Sequence, residues 1–246
     1  MGGAGKAFGV AAALVVLAAL AGLDLYLRPD GAVAYAVPTM VPLSTVEQAS
    51  LPSSVLLPVP YTDQAPLGNW AAGQHTCEEA SLLMVDRYLR GDHSGSPLDA
   101  STAAQEINQI TGWKPALDLT DVQLGQMAHQ RLGWSFEVLA ATPLNLKEQL
   151  ALGRPLIVGV RTHGLGNPLY PGYRTHFEQP GWSVSHYLVV IGYDRSGWFI
   201  LNDPGITRGQ GYNISFAQLA HAIDDLDRAY PNLDQGRIML VLAPAG

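Results

Sequence analysis

The first apolar block of the chain is continuous. Residues 7–23, AFGVAAALVVLAALAGL, carry no charge, and such a run is hydrophobic on every side of a helix rather than along one stripe. Its 17 residues fall between a signal-peptide core and the roughly 20 residues of a spanning helix. Adding Leu25, Tyr26 and Leu27 brings it close to the latter, despite Asp24. The AYA at 34–36 fits a small-residue cleavage site but lies well beyond the run, which favours an uncleaved anchor over a cleaved signal. Lys6 precedes the run, so the remainder is expected outside the cytoplasm. Residues 1–27 read as a membrane anchor or signal peptide, 28–55 as a Pro/Ala/Ser-rich linker, and 56–246 as one domain.

Within the domain the period changes. Thr76-x-x-Glu79 matches a capping box, predicting a helix to about Arg90 that stops at Gly91. A second helix is expected over 102–110. A third covers 121–131 behind Thr120 and Gln123, and a fourth covers 143–152, with Thr142 as cap and Gly153 as stop. The β-branched and aromatic runs WSFEVL, PLIVGVR, HYLVVIGYD, GWFILND and RIMLVL then predict strands, with a helix at SFAQLAHAI between the last two and an edge strand at LLPVPY. Helices first and antiparallel strands afterwards predict an α+β fold.

Composition narrows the function classes. The formal charge is −7, and no Lys/Arg cluster interleaves with aromatics, which argues against a nucleic-acid partner. His163, His176 and His186 match no zinc spacing. Asp224, Asp225 and Asp227 lack the glycine and terminal glutamate of a calcium loop and read as a solvated patch. No metal or cofactor is expected.

The one cysteine of the chain, Cys77, opens the first helix after a polar loop. A helix N-terminus presents unpaired N–H groups and the positive end of the peptide dipoles, which favour thiolate. In an exported chain an unpaired cysteine points to a reactive thiol. The alternative is a small buried hydrophobe. A nucleophilic thiol needs a base, a group to orient that base, and donors to an oxyanion. His186 starts the strand HYLVVIGY at the end of a Gly/Pro-rich loop, where an imidazole can face a cleft. The next strand ends in Asn202-Asp203-Pro204, and antiparallel pairing brings that end near His186. Asp203 is therefore the candidate orienting carboxylate, or else a turn-opening Asp. Asn202 should point to the other face, and Asp194 lies at the far end of the His186 strand.

The segments VPYTDQAPLGNW, TCEEASLLMVDRYL, GRPLIVGV, HYLVVIGYD and FILNDP resemble, in this order, the papain-like cysteine peptidases of the bacteriocin-processing, double-glycine-leader type, particularly stand-alone exported relatives. The resemblance implies a papain-like fold over 56–246, with Cys77 as nucleophile, His186 as base and acid, and Asp203 as orienting group. It places the oxyanion glutamine before the cysteine, at Gln64, with Gln74 as competitor. Thr76 departs from the glycine that commonly precedes the cysteine. The implied partner is a peptide or protein substrate, with the membrane as a second partner through the N-terminal segment. A related acyl-transfer enzyme and a silent peptide-binding module are the rivals. The aromatic loop 163–185 reads as a substrate lid or a packed excursion.

Overall fold

The computed structural model describes residues 51–114, 118–162, 165, 184–206, 208–230 and 236–244. The anchor or signal expected at 1–27 and most of the linker lie outside these residues, as does most of the loop 163–185. Among the described residues no helix is long and apolar enough to cross a membrane.

Among the described residues five helices and seven strands are formed. The strands are β1 (Val55–Leu56), β2 (Trp134–Ala140), β3 (Leu156–Arg161), β4 (Ser185–Tyr193), β5 (Trp198–Asn202), β6 (Gln210–Ser215) and β7 (Ile238–Pro244). The helices are α1 (Cys77–Leu89), α2 (Ala100–Thr111), α3 (Asp121–Leu132), α4 (Pro143–Ala151) and α5 (Phe216–Ala229). The sheet runs β2-β7-β3-β4-β5-β6, with β1 added on β4, and every pairing between these strands is antiparallel. The α+β class expected from the chain is the class observed.

Local chemistry explains most boundaries. Thr120 and Gln123 form the reciprocal box that starts α3, and Gly133 ends it in a left-handed conformation. Thr142 caps α4 with Pro143 in its first turn. α2 begins two residues before the expected Thr102 because Asp99 is the cap, its carboxylate accepting from the Thr102 N–H. The capping box expected of Thr76 and Glu79 does not form, since Thr76 makes no side-chain cap. Its hydroxyl instead lies 2.8 Å from the Gln64 carbonyl and 3.0 Å from that of Gly73. Glu79 is drawn to Lys114, 3.2 Å away.

The core places α1 at the centre of the fold. Leu82, Met84 and Val85 are wholly buried with Val158, Val160, Leu188 and Val190 in one continuous cluster. Full burial of such side chains contributes about 1.5–3 kcal/mol each. A helix buried on nearly all sides holds its first residue as firmly as its middle, so Cys77 sits on a rigid support. At the far end of β4, β1 comes so near Gly192 that a Cβ there would overlap the Val55 carbonyl. That close approach joins the segment before the domain's first loop to the sheet.

Candidate active site

Three parts of the chain meet at the start of β4. β4 pairs with β5 through Val189↔Asn202, so the residue after β5 reaches back along β4 to its first turn. His186 Nε2 lies 2.7 Å from Asp203 Oδ1, and both side chains are wholly buried. The same Oδ1 accepts the Gly205 N–H at 2.9 Å. The Asp203 backbone is fixed by its N–H to the Gly209 carbonyl at 2.9 Å and by the Tyr61 hydroxyl, 3.0 Å from its carbonyl. Burial, with Asp63 beside it, pushes the Tyr61 phenol up, so this group stays a donor.

Gly205 could not carry a side chain here. A Cβ would lie 2.7 Å from His186 Cε1 and 3.2 Å from Gln64 Oε1, so the Asp203-Pro204-Gly205 turn covers one edge of the imidazole. That turn also accepts the Gln64 N–H at the Pro204 carbonyl, 3.0 Å. Gln64 is 1% exposed, and its Nε2 donates to the Gly73 carbonyl at 2.6 Å, shortly before α1. Gln74 has an exposed side chain; only its carbonyl faces Gln64 Nε2, at 3.5 Å. Of the two glutamines, Gln64 is the one packed into the site.

Cys77 lies in the first turn of α1, with its Sγ against the Tyr187 backbone N–H, one residue beyond His186. The thiol is not favoured as thiolate in this geometry. Burial pushes it well above the usual cysteine range, and the neighbouring Glu78 pushes it further. This reverses the expectation drawn from the helix N-terminus alone. Dipole and N–H groups act over the first turn, but a carboxylate in contact and the loss of water outweigh them.

Around the thiol is a second buried cluster that the chain's pattern did not reveal. Sγ donates to Glu78 Oε2 at 3.2 Å, Leu119 N–H donates to Glu78 Oε1 at 3.1 Å, and Lys114 Nζ lies 3.4 Å from Glu78 Oε2 and 3.2 Å from Glu79 Oε1. Lys114 also donates to the His75 carbonyl at 2.7 Å. Its burial works against the ammonium, but Glu78 and Glu79 raise it overall. Burial raises the Glu79 carboxyl, with Lys114 opposing. Two adjacent glutamates in an otherwise apolar helix were the available signal; Lys114, 36 residues from Glu78, offered none.

The remaining candidates have other work. Asn202 donates to the Val59 carbonyl at 3.4 Å and accepts from Gly211 N–H at 3.2 Å. Asp194 shapes the β4–β5 turn by accepting from the Ser196 and Trp198 N–H groups. Asp224 pairs with Arg237, and Asp225 with Arg228 and His221. His163 and His176 lie outside the described residues.

The chain is similar in fold to a solved structure. In solved structures the chain is similar to a candidate C39-like peptidase from Bacillus anthracis, at 17% identity and a TM-score of 0.50, over 78% of this chain and 98% of that one. It is also similar to xylellain, a cysteine protease from Xylella fastidiosa, at 15% identity and a TM-score of 0.36, over 82% of this chain and 90% of the other. None of the curated proteins matches. The model described as the Peptidase_C39 like family matches residues 56–231, a span that includes Gln64, Cys77, His186 and Asp203. By that match the chain belongs to the Peptidase_C39 like family and is a cysteine-type peptidase.

Proposed function

We propose that this protein hydrolyses peptide bonds through a Cys77 thioester, with His186 and Asp203 completing the triad and Gln64 donating to the oxyanion. The observation that carries the reading is the fully buried 2.7 Å contact between His186 Nε2 and Asp203 Oδ1 beside a helix that begins with the chain's single cysteine. With Nε2 engaged by Asp203, Nδ1 is the ring nitrogen that exchanges a proton with Sγ. Sγ attacks the scissile carbonyl as its proton passes to His186, forming the S–C bond. The C–N bond then breaks, and the leaving amine takes the proton from the imidazolium. Water attacks the thioester with His186 as base, releasing the acid and restoring the thiol. The Cys77 N–H, in the first turn of α1, and the Gln64 amide are the donors for the developing oxyanion.

The apolar run 7–23 and the proline-rich stretch after it support a domain held outside the cytoplasm by its N-terminal segment. Protease added to intact cells expressing the full chain should degrade the domain; protection would reject that placement.

A peptide library incubated with the wild type and with Cys77→Ala, read by mass spectrometry, tests the activity. Backbone cleavage in the wild type alone is expected. Mass changes confined to side chains would indicate the acyl-transfer rival instead, and unaltered peptides the binding module, a reading favoured by the raised thiol.

A further inference from the structure

The triad uses none of Glu78, Glu79 and Lys114, although they form a buried charged group in contact with the nucleophile. Resting on the assignment of Cys77 as nucleophile, we infer that Glu78 is a positioning residue that holds Cys77 as a neutral thiol at rest, so that thiolate forms only when Sγ leaves Glu78 for His186.

The donor set around Glu78 fixes its charge state. Oε1 receives the Leu119 N–H at 3.1 Å, and Oε2 faces the Lys114 ammonium at 3.4 Å. Both are partners of an ionised carboxylate. An ionised carboxylate accepts only, so the 3.2 Å contact between Sγ and Oε2 carries its proton on sulfur. A thiolate there would place two anions together in a site where Cys77 is 6% and Glu78 2% exposed. The ammonium that acts on the thiol, Lys114, is already shared by two carboxylates. On α1 there is Glu79, which shares Lys114 with Glu78. The loop after α2 brings Lys114, while Asp118 and Asp121, the latter's carboxyl pushed up to about 7 by burial, act on Tyr187. From β4 come His186 and Tyr187, the latter a phenol raised by burial that donates to the Leu119 carbonyl at 2.8 Å.

In the inferred sequence Sγ leaves Glu78 for the imidazole by a turn about the Cα–Cβ bond of Cys77, a step between staggered rotamers. It breaks the S–H···O contact with Glu78, and the proton then passes from Sγ to His186, giving a thiolate–imidazolium pair. Glu78 keeps its N–H and ammonium donors throughout. The nucleophile is thus kept from adventitious oxidation and alkylation until it is turned.

The test is the pH dependence of iodoacetamide alkylation of Cys77 in the full chain. Glu78→Gln should move the midpoint to lower pH by at least about one unit, giving about tenfold faster alkylation at neutral pH. Glu79→Gln removes the same charge from the same lysine without touching Sγ and should change the rate by less than about threefold. A Glu78→Gln profile that superimposes on the wild type, or an equal shift from Glu79→Gln, overturns the inference. Should Glu78→Gln fail to fold, the wild type decides: the infrared difference between wild type and Cys77→Ala at neutral pH should show an S–H band lowered by hydrogen bonding. Absence of that band contradicts a neutral thiol. Neither readout involves peptide cleavage, so failure here is distinct from failure of the peptidase reading.

Discussion

Two buried charged clusters flank Cys77, the proposed nucleophile, and they differ in how they are closed. The His186–Asp203 side pairs one carboxylate with one imidazole, and the backbone N–H of Gly205 supports the same carboxylate oxygen. The Glu78–Glu79–Lys114 side sets two carboxylates against one ammonium, so it retains a negative charge next to sulfur. In the proposed mechanism the first cluster takes a proton from the thiol and returns it, whereas the second only holds the proton in place. A buried ion cluster beside a catalytic group is therefore defined by its net charge and spare donors rather than by its proximity.

Substitutions on the two sides should separate these roles. The largest effect is expected from His186→Ala, which removes the proton acceptor and should lower kcat/KM about 10³-fold or more, with a separate loss of stability in urea because Asp203 is left buried without its partner. Lys114→Met leaves two buried carboxylates without their cation and should cost about 3–5 kcal/mol of stability, measured by urea unfolding. Glu79 rises further when the ammonium is gone, so that loss should be smallest at low pH, where the carboxyls are protonated in both states, and grow as pH rises. Gly205→Ala forces a Cβ to within 2.7 Å of His186 Cε1. It should displace the ring and reduce kcat by about 10²-fold, with KM little changed. The smallest effect belongs to Thr76→Val, which removes the hydroxyl joining the Gln64 and Gly73 carbonyls and should cost about 1 kcal/mol.

How far each side could be read from the chain follows from the range of its interactions. The contact of His186 with Asp203 lies on adjacent antiparallel strands joined by a short turn, so alternation and strand direction were enough to bring them together. Helices α3 and α4 announced themselves because their caps are local, within three residues of the first turn. Thr76 carried the same local pattern and misled, because two carbonyls from the Gln64 loop compete for its hydroxyl. β6 escaped notice: QGYNIS has few apolar positions and a glycine, and it becomes a strand by pairing with β5 from Trp198↔Ser215 to Asn202↔Gln210. α5 runs six residues past the expected Ile223 because Leu226 continues its apolar face through the acidic stretch. Lys114 was illegible for the opposite reason to His186, since nothing in the intervening residues indicates that the loop after α2 returns to the start of α1.

The most direct measurement of the proposed chemistry is intact-protein mass spectrometry of acid-quenched reactions between the full chain and the peptide library, followed by mapping of any adduct. An acyl group on Cys77 that is released by hydroxylamine, and that accumulates before backbone-cleaved products appear, is the predicted result. Backbone cleavage that proceeds without an adduct at Cys77 and persists in Cys77→Ala would contradict it.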